Sequence, residues 1–189
     1  MLYESGNGII LTKENIKQGM PKYALYDELK KNGYEQVAHG VYAAPEAWVD
    51  EEYVLQHRCS RAVFSHDTAL YYHGLVDREP FQPTLTIYTG YNTKRLTESG
   101  VKVYTVKREL LELGKIAATN SYGNEISIYD LERTICDLVR SRNSFEIQDF
   151  QTALKTYVKK QDKDLNKLMA YAGQFRVDNV LRKYMEVLL

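Results

Sequence analysis

Gly19 and Pro21 stand two residues apart between two stretches of helical spacing, and this punctuation constrains the fold more than any other feature of the chain. Thr12 is a good N-cap for the first stretch, since its hydroxyl can accept from the unpaired N–H groups of a first helical turn. Gly19 follows a helix ending near Gln18, where a residue able to enter the left-handed region is wanted. Pro21 suits the first position of a second helix, where its missing N–H costs nothing. In that helix Tyr23, Ala24, Leu25 and Leu29 include an inward set, while Lys22, Tyr26, Lys30 and Lys31 can face outward. Asn32-Gly33 stops it. Tyr34 to Ala38 and Val41 to Ala43 then alternate as strands around His39-Gly40, a hairpin tip. The order predicted over residues 12 to 45 is helix, tight turn, helix and two-stranded wing.

That order is the arrangement of a winged helix-turn-helix, which presents its second helix to the DNA major groove. Such domains normally carry a further helix packed across the pair. Here only Met1 to Ser5 precede Gly6, about one turn of chain. Either that helix is absent or the C-terminal part of the chain covers the exposed face.

Composition neither advertises nor excludes a nucleic-acid partner. The 189 residues carry 25 basic and 25 acidic side chains, so a DNA-binding face must come from segregating charge. The first 48 residues hold five lysines, no arginine and six acids, which weighs against an N-terminal segment acting by charge alone. A hydrophobic fraction of 44% is that of a folded globular chain. Cys59 and Cys136 are far apart and have no metal-ligand spacing, as expected of buried thiols in a reducing compartment. No apolar run approaches the ~20 residues that span a bilayer, and no secretory signal is visible. A cytoplasmic location and no membrane partner are expected. The 16 tyrosines are scattered, as packing residues are.

A domain boundary is expected at about residues 46 to 50, dividing a winged helix-turn-helix over 1–48 from an α+β domain over 49–189. Asp50 to Arg58 has acids in its first turn and Arg58 in its last, as a helix dipole favours. Val63-Phe64 looks like a short strand, and Ser65 caps a helix running to His73 that Gly74 ends. Thr84 to Thr89 and Val101 to Val106 are β-rich; Ile116 to Thr119 and Glu125 to Tyr129 form a hairpin about Ser121 to Asn124. Helical spacing then takes over, in four sets beginning at Leu131, Ile147, Leu165 and Val177. The fold class is α+β, an N-terminal winged helix-turn-helix followed by a domain with a small sheet and a run of about four helices.

Several clusters invite a chemical reading and do not sustain it. Ser65, His66, Asp67 and His73 fall within nine residues, but neighbours at a helix start point in different directions and cannot converge as a nucleophilic triad. Asp67 and Thr68 suit helix initiation instead. His66 and His73 are seven apart, too far along a helix for one ion, so with His57 and Cys59 they form no metal site. Glu132 and Asp137 lack the second carboxylate and lysine of a nuclease, and Arg133 and Asp137 are spaced to pair with each other. No catalytic residue, metal or cofactor is expected. Basic residues form two further groups. One is Lys94, Arg95, Lys102, Lys107 and Arg108. The other runs from Arg140 and Arg142 through Lys155, Lys159, Lys160, Lys163, Lys167, Arg176, Arg182 and Lys183. Helical lysines are commonly a solvated face; aligned with Lys22, Lys30 and Lys31 they would extend a strip along a DNA backbone.

Three segments together, HGVYAAPEAW, VFSHDTALYYHGL and GNEISIYDLERTICDLVRSRN, resemble the AbiEi antitoxins of type IV toxin–antitoxin (abortive phage infection) systems. The resemblance covers nearly the whole chain, with the short N-terminus as its departure. It implies a transcriptional autorepressor that binds double-stranded DNA at inverted repeats in its own promoter. It also implies a C-terminal domain opposing a nucleotidyltransferase-like toxin without a stable complex. The residues expected at DNA are Thr12, Lys13, Lys22, Tyr23, Tyr26, Lys30, Lys31 and His39, joined by Arg140, Arg142, Lys155 and Lys159 from the second domain. Two alternatives stay open. One is a winged helix delivering a nuclease-like enzyme to DNA. The other is a winged-helix regulator with a ligand-sensing C-terminal domain, in which the aromatic-rich segment Tyr71 to Tyr91 would line a pocket.

Overall fold

The structure, a computed structural model, describes residues 2–5 and 7–189; Met1 and Gly6 lie outside the described residues. It is an α+β fold with two sheets and, among the described residues, nine α-helices. The chain divides into two compact units, Met1–Arg61 with Ala118–Ile126, and Ala62–Ala117 with Ser127–Leu189.

The first unit is built on a three-stranded antiparallel sheet. Its strands are β1 (Ile9–Leu11), β2 (Glu35–Ala38) and β3 (Val41–Ala43), in the order β1-β3-β2. Helices α1 (Thr12–Lys17) and α2 (Lys22–Lys31) lie between β1 and β2 in sequence, and α3 (Glu51–Arg58) follows β3. Successive side chains of a strand point to opposite faces, and β1 uses both. Ile9 and Leu11 pack with Val41, Ala43, Tyr53 and Val54, which brings α3 onto one face. Ile10 packs with Leu25 and Leu29 of α2 on the other. One face of this sheet is thus covered by the helix after the hairpin. This carries the first unit to Arg61, beyond the boundary expected at 46–50.

Three local expectations shift by a residue or a face. Thr12 is not the N-cap: Leu11 holds that place with extended backbone, and Thr12 is the first helical residue. Its hydroxyl donates to the Gly40 carbonyl at 3.1 Å, because the end of β1 lies against the hairpin tip and draws Thr12 with it. Pro21 sits at the N-cap of α2 with ψ 137°, so the helix begins at Lys22. Tyr23 is 74% exposed, because the face of α2 turned to Ile10 needs only Leu25 and Leu29 at i and i+4. Gly19 does take the left-handed conformation, at φ 94°.

The second sheet has five strands in the order β6-β5-β4-β8-β7. These are β4 (Val63–Phe64), β5 (Thr84–Tyr88), β6 (Lys102–Val106), β7 (Lys115–Thr119) and β8 (Glu125–Tyr129). Helix α4 (His66–Tyr72) links β4 to β5, and the short α5 (Lys94–Glu98) is the crossover that lets β5 and β6 run parallel. Strand β4 is antiparallel to β5 and parallel to β8. The outer part of the β7–β8 hairpin, Ala118–Ile126, belongs to the first unit.

Four helices follow: α6 (Leu131–Arg140), α7 (Ile147–Lys159), α8 (Leu165–Phe175) and α9 (Asp178–Leu188). Every residue of α6 from Leu131 to Val139 is buried, so this helix is the axis of the second core. Ile135, Leu138 and Val139 pack there with Leu154 and Tyr157 of α7, Leu168 and Ala172 of α8, and Leu181 of α9. Because α6 is surrounded, its polar side chains at 132, 133, 134 and 137 are buried with it, and each needs a partner.

Candidate functional site

The exposed surface of the helix pair is the part of the first unit that holds most of the expected contact residues. Lys22, Tyr26 and Lys30 follow one another at i, i+4 and i+8 on α2, all exposed. The Lys22 ammonium lies 6.0 Å from the centre of the Tyr26 ring, and Tyr26 meets Tyr42 edge to face at 6.2 Å. Tyr23, Lys31 and, on α1, Lys13 are exposed as well. His39 is exposed at the β2–β3 tip. Thr12 is the exception at 8% exposure, with its hydroxyl engaged by Gly40; it is a structural tie and not a contact residue. Asp27 and Glu35 are also exposed in this region, so the positive face is narrow.

Behind this surface the first unit is held by a polar centre that sequence reading missed. The Asp50 carboxylate, 1% exposed, accepts from the Tyr53 N–H at 2.9 Å and so caps α3. It also accepts from Asn120 Nδ2 at 2.6 Å and Asn124 Nδ2 at 2.7 Å. Asn7 Nδ2 reaches the Tyr122 carbonyl of the same hairpin tip at 2.7 Å. The acids at the start of this helix were legible in sequence; that Asp50 caps it, and that Asn120 and Asn124 bond to it, was not.

In the second unit the buried charges of α6 pair internally. Arg133 Nε donates to Asp137 Oδ2 at 3.0 Å, both side chains having no exposure, as the i, i+4 spacing predicts. Arg133 Nη1 donates to the carbonyls of Leu110 and Leu113. Arg140 approaches Asp137 Oδ1 at 3.6 Å. Burial raises the Asp137 carboxyl above its ordinary range, opposed by Arg133 and Arg140. Glu132 accepts from the Asp164 N–H and pairs with Lys167, which also reaches Asp130 at 2.9 Å. Both carboxylates are thus paired with cations of the second unit. Among the described residues no group of three or more His, Cys, Asp or Glu side chains is placed to hold one.

His66 and His73 are packing groups with polar ends. His66, fully buried at φ 49°, lies 3.0 Å from Ser65 Oγ through Nδ1 and 3.2 Å from Ser141 Oγ through Nε2, and its ring stacks on Tyr104 at 3.5 Å. Burial, with Arg140, Arg133 and Lys102 nearby, lowers its pKa well below the usual value, so the ring is neutral. Ser65 therefore makes no side-chain cap; its hydroxyl serves the His66 ring and accepts from Thr86. Burial likewise lowers His73, whose Nε2 meets the Tyr129 carbonyl at 2.7 Å. Cys59 and Cys136 are buried and neither is in a disulfide; burial pushes the Cys136 thiol up to about 12.

Of the second-unit residues expected at DNA, Arg142, Lys155 and Lys159 are exposed. Arg140 is only 26% exposed and is engaged by Asp137 and the Phe175 ring. In the other basic group Lys102 pairs with Asp67 at 3.1 Å, and the Arg108 guanidinium lies 4.2 Å from the centre of the Tyr88 ring. Part of the segment Tyr71 to Tyr91 does line a cavity of about 240 Å³, with Phe81 and Lys102 among its walls. No helix among the described residues is long and apolar enough to cross a membrane.

No family model and no curated protein matches the chain. Solved structures do, among them the crystal structure of the RV2827C protein from Mycobacterium tuberculosis, at a TM-score of 0.59 and 16% identity. The match covers 87% of this chain and 66% of that one, so the chain spans just under two thirds of the neighbour's length. At that identity the likeness is one of fold alone.

Proposed function

We propose that the chain is a DNA-binding antitoxin and autorepressor of the AbiEi kind, its first unit acting as a winged helix-turn-helix. The observation that carries this is the exposed row Lys22, Tyr26 and Lys30 on a helix entered through the tight Gln18-to-Pro21 turn. In this reading α2 enters the major groove by its N-terminal end, where Lys22, Tyr23 and Tyr26 meet base edges or nearby phosphates. Lys13, Lys30 and Lys31 lie on phosphates, and His39 at the hairpin tip follows the adjoining backbone or minor groove. Arg142, Lys155 and Lys159, exposed on the second unit, are further phosphate contacts in this reading. The ligand is double-stranded DNA with inverted repeats at the chain's own promoter. Resemblance of the three segments to AbiEi antitoxins supports the second half of the reading, opposition to a nucleotidyltransferase-like toxin without a stable complex.

Two measurements test the halves separately. Titration of the chain's promoter fragment against a scrambled duplex should show preferential binding, abolished by Lys22→Glu with Lys30→Glu; unchanged affinity in that double variant sinks the recognition-helix assignment. Co-expression with a nucleotidyltransferase-like toxin should restore growth, and failure to do so removes the antitoxin role while leaving the DNA role standing.

A further inference from the structure

A cavity of about 450 Å³ in the second unit lies against Val106, Leu110 and Phe175, with Lys107, Arg140 and Arg176 as its cations and Glu109 as its acid. Arg140 and Phe175 of its lining also belong to a charge cluster buried behind it, and that cluster is unbalanced. Asp137 is a fully buried carboxylate that serves two guanidiniums, Arg133 at 3.0 Å and Arg140 at 3.6 Å. Both are drawn to the same Phe175 ring, with Arg133 4.1 Å and Arg140 5.4 Å from its centre. Arg133 Nη2 is buried without a hydrogen-bond partner. Two cations against one anion leave a whole positive charge in a partly desolvated place, which is costly unless an anion joins it.

Arg176 adds an independent sign. It takes the left-handed conformation at φ 58° as the C-cap of α8, a place that glycine fills without steric penalty. The chain thus carries a long cationic side chain where glycine would sit without strain. The Arg176 side chain lines the cavity and has no ion-pair partner among the described residues. Thr89, Thr105 and Gln174 add neutral hydrogen-bonding groups to the lining.

We propose that this cavity binds a phosphorylated small molecule, its phosphate held by Arg140, Arg176 and Lys107 and its polar body set against Thr89, Thr105 and Gln174. Guanidinium pairs suit phosphate because their planar donors meet two oxygens at once. The volume exceeds that of a bare phosphate and falls in the range of small-molecule sites. The inference stands independently of the DNA reading.

The test uses the full chain, calorimetry and thermal melting, with inorganic phosphate, pyrophosphate and a nucleoside triphosphate as probes at constant ionic strength. Saturable one-site binding is expected, stronger for pyrophosphate than for phosphate, with the nucleoside triphosphate showing whether an organic body adds affinity. Arg176→Gly removes the side chain and relieves the backbone, so its melting temperature should be unchanged or raised. Its probe affinity should fall about ten- to hundred-fold, the worth of one charge-assisted hydrogen bond. Lys107→Gln should weaken binding in the same direction. Absence of saturable binding overturns the proposal, as does full affinity in Arg176→Gly. Loss of promoter affinity in Arg176→Gly, with no probe bound by the parent chain, also overturns it and makes the cavity a DNA-backbone contact.

Discussion

Asn124 donates from Nδ2 to Asp50 Oδ2 at 2.7 Å, joining the N-cap of α3 to a hairpin tip 74 residues later. With Asn120 and the Tyr53 N–H it surrounds a buried carboxylate by neutral donors only. Asp50→Ala strips three donors of their acceptor and should cost about 3 kcal/mol, since hydrogen bonds to a charged group are worth more than neutral ones. Denaturant unfolding would give the figure, and hydrogen exchange should show lost protection in α3. Unaltered exchange there would mean that the hairpin tip does not hold the first unit together.

The Arg133–Asp137 pair predicts a non-additive series. Asp137→Ala leaves Arg133 buried without its carboxylate and should destabilise by about 3–5 kcal/mol. Asp137→Leu combined with Arg133→Met removes both charges and should recover most of that loss. A double variant as unstable as the single would show that the Arg133 bonds to the Leu110 and Leu113 carbonyls matter more than the ion pair.

Acid should unfold the second unit through its histidines. Burial lowers the pKa of both His66 and His73 in the folded chain. A depressed folded pKa means that the unfolded chain takes up the proton first. Stability is therefore complete above the ordinary histidine pKa of about 6.5 and falls as pH drops from there towards each folded pKa, by at most about 1.4 kcal/mol per pH unit for each histidine. Urea midpoints measured downward from neutral pH should show this fall, and His66→Gln should reduce its slope by about half. Stability that rises on mild acidification would contradict the lowered pKa of both rings.

Thr12 and Gly40 predict a stability effect at what sequence marks as a contact residue. Gly40 has φ 74°, and a Cβ there would stand 2.9 Å from Thr12 Oγ1. Gly40→Ala should cost about 1–2 kcal/mol from the left-handed backbone alone. Thr12→Val removes one hydroxyl bond, worth about 1 kcal/mol. Promoter affinity per folded molecule should be unchanged in Thr12→Val; a specific loss would return Thr12 to the DNA face.

Binding to the promoter should depend steeply on salt despite zero net charge. Four lysines, Lys13, Lys22, Lys30 and Lys31, each neutralising one phosphate, predict a log–log slope of about −3 to −4 from the first unit. Lys30→Gln should flatten it by about one. A slope near zero would mean that the helix face does not track a backbone.

Local chemistry was legible where it acts over a few residues. Gly19 and Asn32-Gly33 marked helix ends, the four C-terminal helices announced themselves by spacing, and Arg133 with Asp137 by separation. What could not be read depended on which distant segment arrives. Ile9 to Leu11 is three apolar residues without periodicity, and only pairing with β3 makes it a strand with two working faces. The partners of Asp50, the neutral state of His66 and the cations around the Phe175 cavity likewise come from segments far apart in sequence. Hydrogen bonds within a turn and the burial of alternate side chains are written locally; desolvation and charge balance are properties of a place, and the place exists only once the chain has folded.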